Sequence, residues 1–154
     1  MYDVVAIGEL LVDFACRSTD DDGYPVLAAH PGGAPANFLA VLARYGLKTA
    51  LLAKVGNDAF GRLLRRTVER EGIDTAGIVV DDAAFTTLAF VTLDENGERD
   101  FSFARKPGAD MLLRYDELDL SLIDRTRVFH FGSVSMTDEP SRDATRRAAA
   151  YARS

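Results

Sequence analysis

The sequence of 154 residues predicts an α/β fold, with a doubly wound, mostly parallel sheet and a small separate β unit. Three observations support this. Apolar, strand-like runs alternate with amphipathic helical runs over the first half of the chain, which is the order typical of a parallel sheet with helices on its faces. A hairpin-like segment interrupts the series at residues 86–105. A further strand and helix follow it, so the main series resumes after the interruption.

The first half of the chain supplies three strands and a helix. "YDVVAIG" is a short apolar run and the first predicted strand. "LLVDFAC" alternates, with Asp13 on the face opposite to Phe14, and predicts a strand over residues 11–16. "VLAAH" predicts a strand over residues 26–30, which Pro31 is expected to end. In the run "HPGGAPANFLAVLARYG", a proline suited to a first turn and a closing glycine predict a helix.

The remaining elements include the interrupting hairpin. "KTALLAKVG" predicts a strand, and "NDAFGRLLRRTVEREG" predicts a helix started by Asn57 or Asp58 and ended at Gly72. In "TTLAFVTLDENGERDFSFAR", two alternating runs flank Asn96-Gly97, which is a strong hairpin signal. We expect this hairpin to stand apart from the main sheet as a flap or subdomain. A short helix in "YDELDLSLIDR", the strand "RVFHFGSV" and the helix "SRDATRRAAAYARS" complete the series.

The final helix is not followed by the strand that the alternation predicts. We therefore expect residues 1–154 to be one part of a larger doubly wound fold.

Composition and charge exclude several classes of protein. The formal net charge of −6 argues against nucleic acid or an anionic membrane as the main partner. The single cysteine, Cys16, leaves no internal disulfide and fits a reducing compartment. The amino-terminal residues lack the basic region of a secretory signal, and no apolar run approaches the roughly 20 residues of a membrane span. These features predict a cytoplasmic protein without a nucleic-acid or membrane partner.

The sequence offers no convincing nucleotide or metal site. "GELLVD" lacks the glycine pattern of a dinucleotide site. "GNDAFGRL" has the glycine spacing of a P-loop, but Arg62 and Leu63 replace the lysine and hydroxyl that hold phosphate and Mg²⁺, so we interpret it as a turn and helix cap. "PGADM" is interpreted as a loop. His130 is interpreted as a near-core histidine, and we identify neither metal ligands nor a general base.

A glycine-rich turn before the first helix is the strongest candidate for a ligand site. Gly32 and Gly33 allow main-chain N–H groups to approach a ligand closely. Asn37 offers a donor and an acceptor, and Asp13 offers an acceptor-only carboxylate, which together suit a vicinal diol. The alternative is a solvent-facing aspartate on an edge strand and a turn that only caps a helix. The residues alone leave both interpretations open.

The same segments carry a family resemblance. "GGAPANFLAVLARYG", "GNDAFG", "TTLAFVTLDENGERDFSFAR", "ADMLLRYDELDLSLI" and "FHFGSVSMTDEP" resemble, in this order, the amino-terminal half of PfkB/ribokinase-type carbohydrate kinases, and among them the fructokinases. The resemblance implies a ribokinase-like fold. It also implies a β lid built from strands near residues 11–16 and 26–30 and from the hairpin of residues 86–105, with a homodimer formed through the lid.

The resemblance also implies site residues and a reaction. Sugar hydroxyls would be contacted by Asp13, Gly32, Gly33 and Asn37. Phe103 and Arg105 match lid positions that reach the substrate in related kinases, and the alternative for them is a hairpin aromatic and a solvated cation. The family transfers the γ-phosphoryl group of ATP, with Mg²⁺, to a primary hydroxyl of a sugar. Fructose is the sugar that the resemblance favours.

One family signature is missing from this sequence. The Gly-Ala-Gly-Asp turn, which forms an anion hole and carries the general base, does not occur in it. We therefore expect the base and the nucleotide-binding half beyond residue 154, and no activity from this chain alone. The alternatives are a 2-keto-3-deoxygluconate or nucleoside kinase, a non-catalytic sugar-binding or dimerisation module, and a truncated gene product without independent function.

Overall fold

The structure is a computed structural model that describes residues 1–93 and 98–154. The strands are β1 (Tyr2–Ile7), β2 (Leu11–Thr19), β3 (Pro25–Gly32), β4 (Thr49–Gly56), β5 (Ile73–Asp74), β6 (Ile78–Asp81), β7 (Leu88–Leu93), β8 (Arg99–Ala104) and β9 (Thr126–Phe131). The α-helices are α1 (Ala34–Arg44), α2 (Ala59–Arg70), α3 (Leu120–Asp124) and α4 (Ser141–Tyr151). Short 3₁₀ turns span Ala109–Leu112, Tyr115–Glu117 and Val134–Met136.

The main sheet is parallel and has helices on both faces. Its strand order is β5–β4–β1–β9, and β6 also pairs with β4. Side chains of β1 alternate, so Val4 and Ala6 pack against α1 and α2, whereas Val5 and Ile7 pack against α3 and α4. All four side chains are buried, which is typical of a parallel strand covered on both sides. The predicted doubly wound α/β class is confirmed.

The second sheet, which we call the lid sheet, contains the strands β3–β2–β7–β8 in that order. Its hairpin strands β7 and β8 pair antiparallel, from Leu88 opposite Ala104 to Leu93 opposite Arg99. The predicted Asn96-Gly97 turn lies outside the described residues. Strand β3 does not end before Pro31, as the sequence predicted, but continues to Gly32. Proline is tolerated there because β3 is an edge strand, where a missing N–H removes no ladder bond that the sheet needs.

Aromatic packing holds the lid sheet against α2. The Phe14 ring stacks on Phe90 with centroids 5.4 Å apart, and meets Phe60 of α2 edge-on at 5.5 Å. Phe14 thus joins two lid strands to a helix of the main sheet.

A carboxylate at the start of α2 joins the helix to the base of the lid hairpin. Asp58 caps α2 by accepting hydrogen bonds from the main-chain N–H groups of Phe60 and Gly61, at 2.9 and 2.8 Å. It also accepts bonds from the N–H and the hydroxyl of Thr86, at 2.8 and 3.0 Å. Burial alone would raise the pKa of Asp58, but these hydrogen bonds outweigh it and lower the pKa. The interpretation of "GNDAFG" as a turn and helix cap agrees with this geometry.

The segment "PGADM" is not the plain loop that the sequence suggested. Residues Ala109–Leu112 form a 3₁₀ turn in which the Asp110 carboxylate is buried. It accepts a hydrogen bond of 2.5 Å from the Thr87 hydroxyl and one of 2.9 Å from Arg105 Nε. Thr87 precedes β7 and Arg105 follows β8, so one carboxylate holds both ends of the hairpin. A buried carboxylate needs such partners, and they order the turn.

A buried lysine lies in the centre of the fold. Lys54 lies on β4 and pairs with Asp81 at 3.0 Å and with Glu117 at 2.7 Å. Its Nζ also donates to the carbonyl of Leu112 at 3.2 Å. Burial would lower the pKa of Lys54, but the two carboxylates reverse this and raise it. The lysine therefore stays charged and ties β4 to β6 and to the segment that precedes α3.

In the part of the chain that the structure describes, no helix is long and apolar enough to cross a membrane.

We expect Asp58→Ala to lower the free energy of unfolding by about 2–3 kcal/mol. The substitution removes a helix cap, worth roughly 0.5–2 kcal/mol, and the hydrogen bonds from Thr86, worth about 1 kcal/mol. The pKa of Asp58 is lowered from its ordinary 3.8, so its contribution is complete above that pH and is lost as the pH falls through the lowered value. Urea unfolding of the wild type and the variant at about pH 7 and about pH 3 measures both effects.

The control is Asp119→Ala, which removes the cap of α3, a single hydrogen bond to the N–H of Ser121. Asp119→Ala should lower the free energy of unfolding by about 1 kcal/mol. Equal losses for the two variants would contradict a role for Asp58 in holding the hairpin.

Candidate functional site

The candidate site lies where the chain passes between the two sheets. The chain leaves the main sheet after β1, builds β2 and β3 of the lid sheet, and returns at Gly32 to begin α1. Gly33 is the N-cap residue of α1 and has a φ of 113°, which side chains other than glycine rarely adopt. A Cβ on Gly33 would also collide with the main-chain carbonyl of Glu9. The outgoing and returning segments therefore touch backbone to backbone at this edge of the main sheet.

Asp13 lies directly against the first glycine of the turn. A Cβ on Gly32 would overlap the Asp13 carboxylate, so only glycine allows this approach. Among residues 1–93 and 98–154, no side chain or main-chain group donates a hydrogen bond to this carboxylate. Burial raises the pKa of Asp13, and the neighbouring His30 partly offsets the effect. Asp13 is thus a half-buried acceptor with unused hydrogen-bonding capacity.

Asp13 and Phe103 occupy the same face of the lid sheet. The pairing registers place His30, Asp13, Ala89 and Phe103 in one row across the four strands. Directly opposed residues on neighbouring strands point to the same side, so the row presents a carboxylate and an aromatic ring together. The Phe103 ring is 49% exposed and stacks on Phe101 with centroids 6.2 Å apart. An open groove of about 880 Å³ runs along this sheet and is lined by Asp13, His30 and Phe101 among others.

Asn37 extends the site onto the first turn of α1. Its main-chain N–H donates to the carbonyl of Gly33 at 3.0 Å, which is the first hydrogen bond of the helix. Its side chain is exposed and makes no hydrogen bond within the described ranges. The amide therefore keeps both a donor and an acceptor for a ligand.

Arg105 differs from the solvated cation that sequence reasoning offered as an alternative. Its side chain is only 11% exposed and forms an ion pair with Asp110, with Nη2 2.9 Å from Oδ2. That Nη2 has no hydrogen bond of acceptable geometry within the described residues. Nη1 donates to the Thr137 hydroxyl at 3.3 Å. Arg105 is thus anchored at the base of the hairpin by Asp110 and Thr137.

Glu9 is a buried residue of this region that sequence reasoning missed. It lies two residues after the end of β1 and is 3% exposed. Its Oε1 accepts a hydrogen bond of 2.9 Å from the N–H of Ala34, the first residue of α1. Burial raises its pKa; Asp110 raises it further, whereas Arg105 lowers it. The available signal was a lone carboxylate immediately after an apolar strand, where parallel strands commonly place site residues.

The remaining histidine has a packing role. His130 of β9 is half-buried, and its ring lies 4.6 Å from that of Phe38 in α1. It belongs to the main sheet rather than to the row on the lid sheet.

The residues described here do not fit a nucleotide or its metal. The turn before α2, which came closest to a P-loop, is filled by the hydrogen bonds between Asp58 and Thr86. Within the described ranges, no group of three or more potential side-chain ligands could hold a metal ion.

Sequence comparison identifies relatives over almost the whole chain. A family model described as "pfkB family carbohydrate kinase" matches residues 1–154. Fructokinase-1 of Zea mays is 46% identical over 147 residues, which cover 94% of this chain and 46% of the relative. A probable fructokinase-3 of Arabidopsis thaliana is 46% identical over 143 residues, which cover 92% of this chain and 41% of the relative. The chain thus spans about half the length of the curated relatives it matches.

Solved structures of sugar kinases also superpose on this chain over almost its whole length. A fructokinase from Xylella fastidiosa superposes with a TM-score of 0.93 at 34% identity, over 99% of this chain and 48% of that one. A putative ribokinase II from E. coli, solved in complex with ATP and Mg²⁺, superposes with a TM-score of 0.89 at 29% identity, over 99% of this chain and 50% of that one.

We expect Gly33→Ala to destabilise the chain by about 3 kcal/mol or more. The substitution combines a disfavoured backbone conformation, which costs roughly 1–3 kcal/mol, with a collision against the Glu9 carbonyl. Gly46→Ala is the matched control, because Gly46 also has a positive φ of 84° but nothing lies within 4 Å of its ideal Cβ. Gly46→Ala should lower the free energy of unfolding by about 1–2 kcal/mol. Thermal unfolding of both variants measures the difference, and equal losses would contradict the close backbone contact.

Proposed function

The chain belongs to the pfkB family of carbohydrate kinases, and on this basis we propose that it supplies the sugar-binding part and the lid of an ATP-dependent fructokinase. The proposed reaction of the whole enzyme converts fructose and ATP to fructose 6-phosphate and ADP. Since the chain spans about half of its relatives, residues 1–154 would contribute the sugar side of that reaction.

The observation that carries the proposal is the unpartnered carboxylate of Asp13 above the Cα of Gly32. A carboxylate accepts hydrogen bonds and donates none, so two neighbouring hydroxyls of a sugar suit its oxygens. Partial burial makes an unpartnered carboxylate costly, and a bound diol would supply the missing hydrogen bonds. In this proposal Asp13 and Asn37 bind the sugar hydroxyls from two sides, while the main chain at Gly32 and Gly33 closes against the ligand.

The lid residues complete the proposed site. The exposed ring of Phe103 lies in the same row as Asp13 and would cover the apolar face of the sugar. Arg105 would approach the ligand from the base of the hairpin while it stays paired with Asp110.

A neutral sugar fits these charges better than a sugar acid. A sugar acid, such as 2-keto-3-deoxygluconate, needs a cation to balance its carboxylate. In this structure Arg105 is already paired with the buried Asp110. If a sugar acid recruited the guanidinium, the buried Asp110 carboxylate would keep only its hydrogen bond from the Thr87 hydroxyl. Because a buried carboxylate without its cation is destabilising, the pair favours a neutral ketohexose as the substrate.

Several properties of the whole enzyme come with the proposal. Mg²⁺ would accompany ATP, and both would be held by groups outside these residues. In this proposal the enzyme is cytoplasmic, because it uses ATP and because Cys16 is a free cysteine. Apolar side chains exposed on the edge strand β3, including Val26 and Leu27, would pair two copies into a homodimer.

We expect Asp13→Ala to weaken fructose binding by at least tenfold. Each hydrogen bond between a hydroxyl and a charged group is worth about 1.5–3 kcal/mol, and the substitution removes the acceptor for two of them. Asp21→Ala is the control, because it removes the same charge from the exposed turn between β2 and β3. Titration calorimetry with fructose measures both variants. Equal affinity for Asp13→Ala and wild type would remove Asp13 from the site.

The 154-residue chain by itself is expected to turn over fructose far below the roughly 1 s⁻¹ at which kinases begin to operate. The described residues do not fit a phosphate cradle, and a missing oxyanion donor alone costs about 10²–10³ in rate. A coupled assay of ADP release with fructose, ATP and Mg²⁺ checks this, with gel filtration to record the oligomeric state. Turnover of about 1 s⁻¹ from the purified chain would require a phosphate site within these residues and would contradict the assignment.

A further inference from the structure

The amino-terminal end of α1 is capped by a side chain from a distant part of the sequence. Its N-cap residue, Gly33, has no side chain to offer, and no acidic residue lies in the first turn. The cap comes instead from Glu9, whose Oε1 accepts the N–H of Ala34 across 25 positions of sequence. Helices α2 and α3 differ, since Asp58 and Asp119 cap them locally.

The site forbids a local cap. A residue with a side chain at position 33 would have to adopt a φ of 113° and would collide with the Glu9 carbonyl. The backbone contact that shapes the glycine turn therefore excludes the usual capping residues. A carboxylate delivered from the neighbouring strand end satisfies the free N–H group and leaves the turn open to a ligand.

The second oxygen of Glu9 is buried without a partner. Within residues 1–93 and 98–154, Oε2 accepts and donates no hydrogen bond. Its closest surroundings include Gly132, where a Cβ would lie 2.9 Å from Oε2 and 2.8 Å from Pro35 Cγ. The charged groups that act on it are Asp110 and Arg105. A buried oxygen without a hydrogen bond costs stability, which is expected of a site residue rather than of a core residue.

We propose that Glu9 is a positioning residue of the sugar site. Its carboxyl fixes the first turn of α1, and with it Gly33 and Asn37, in the arrangement that faces Asp13. Glu9 acts through the N–H of Ala34 and need not touch the sugar. The part of this inference that concerns sugar rests on the proposed function, whereas the part that concerns the helix start does not.

The test compares two substitutions at position 9. Glu9→Met fills similar space without an acceptor, and Glu9→Gln keeps a carbonyl oxygen for Ala34. Fructose affinity is measured by titration calorimetry, and amide hydrogen exchange at Ala34 and Asn37 by NMR. We expect Glu9→Met to weaken fructose binding about tenfold and to speed exchange at Ala34 about tenfold, which is the range of a lost helix cap. Glu9→Gln should stay within about threefold of wild type in both measurements.

Asp119→Ala is the matched control, since it removes the cap of α3 at a distance from the site. It should leave fructose affinity and exchange at Ala34 unchanged. Equal behaviour of Glu9→Met and wild type, or equal losses in Glu9→Met and Glu9→Gln, would overturn the proposal.

The two readouts separate this inference from the proposed function. If the wild type binds no fructose, the proposed function fails, and exchange at Ala34 and Asn37 then decides the positioning role alone. Faster exchange in Glu9→Met with recovery in Glu9→Gln supports that role, and unchanged exchange overturns it. If Glu9→Met does not fold, Glu9→Gln decides: exchange at Ala34 equal to wild type supports the role, and a tenfold faster rate overturns it.

Discussion

The close contact between the backbones of Gly33 and Glu9 is the constraint on which the candidate site depends. At this point the segment that leaves the main sheet for the lid sheet meets the segment that returns from it to begin α1. The contact excludes any side chain at position 33 and sets the positive φ there. It also brings Gly32 under the Asp13 carboxylate and directs α1 along the main sheet, where Leu39 enters the core. The site is therefore formed where these two segments meet, near Glu9 and Gly33, rather than by one continuous motif.

Two carboxylates, the half-buried Asp58 and the buried Asp110, hold the base of the lid hairpin. Asp58 joins the start of α2 to Thr86, and Asp110 joins Thr87 to Arg105. The hairpin is thus fixed at its base by hydrogen bonds to these carboxylates, while one of its faces packs through Phe90 on Phe14. Polar anchors at the base and apolar packing on one face leave the opposite face, which carries Asp13 and Phe103, open to a ligand.

The sequence predicted the fold class because its signals are local. The alternation of strands and helices, the caps at Asp58 and Gly72 and the pairing of the hairpin strands are each encoded within a few residues. The predicted end of β3 at Pro31 was wrong. Proline interrupts a strand only where its missing N–H is needed for pairing, and an edge strand does not need it. That β3 is an edge strand follows from tertiary pairing, which the local sequence does not encode. Lys54 and Asp110 were missed as structural anchors for a similar reason: Lys54 pairs with the distant Asp81 and Glu117, and the Asp110 carboxylate also needs Thr87, 23 positions away. The glycine turn, Asp13 and Asn37 could be singled out from residue chemistry, whereas the cap from Glu9 spans two separate elements.

The most direct test of the central claim is a ¹⁵N–¹H NMR titration of the chain with fructose. Saturable chemical-shift changes should concentrate at Asp13, Gly32, Gly33 and Asn37 and along β8 near Phe103, with the exposed face of α2 unaffected. The pattern would place the sugar between the glycine turn and the lid sheet. Changes centred elsewhere in the chain, or no saturable change at sugar concentrations of tens of millimolar, would contradict the account.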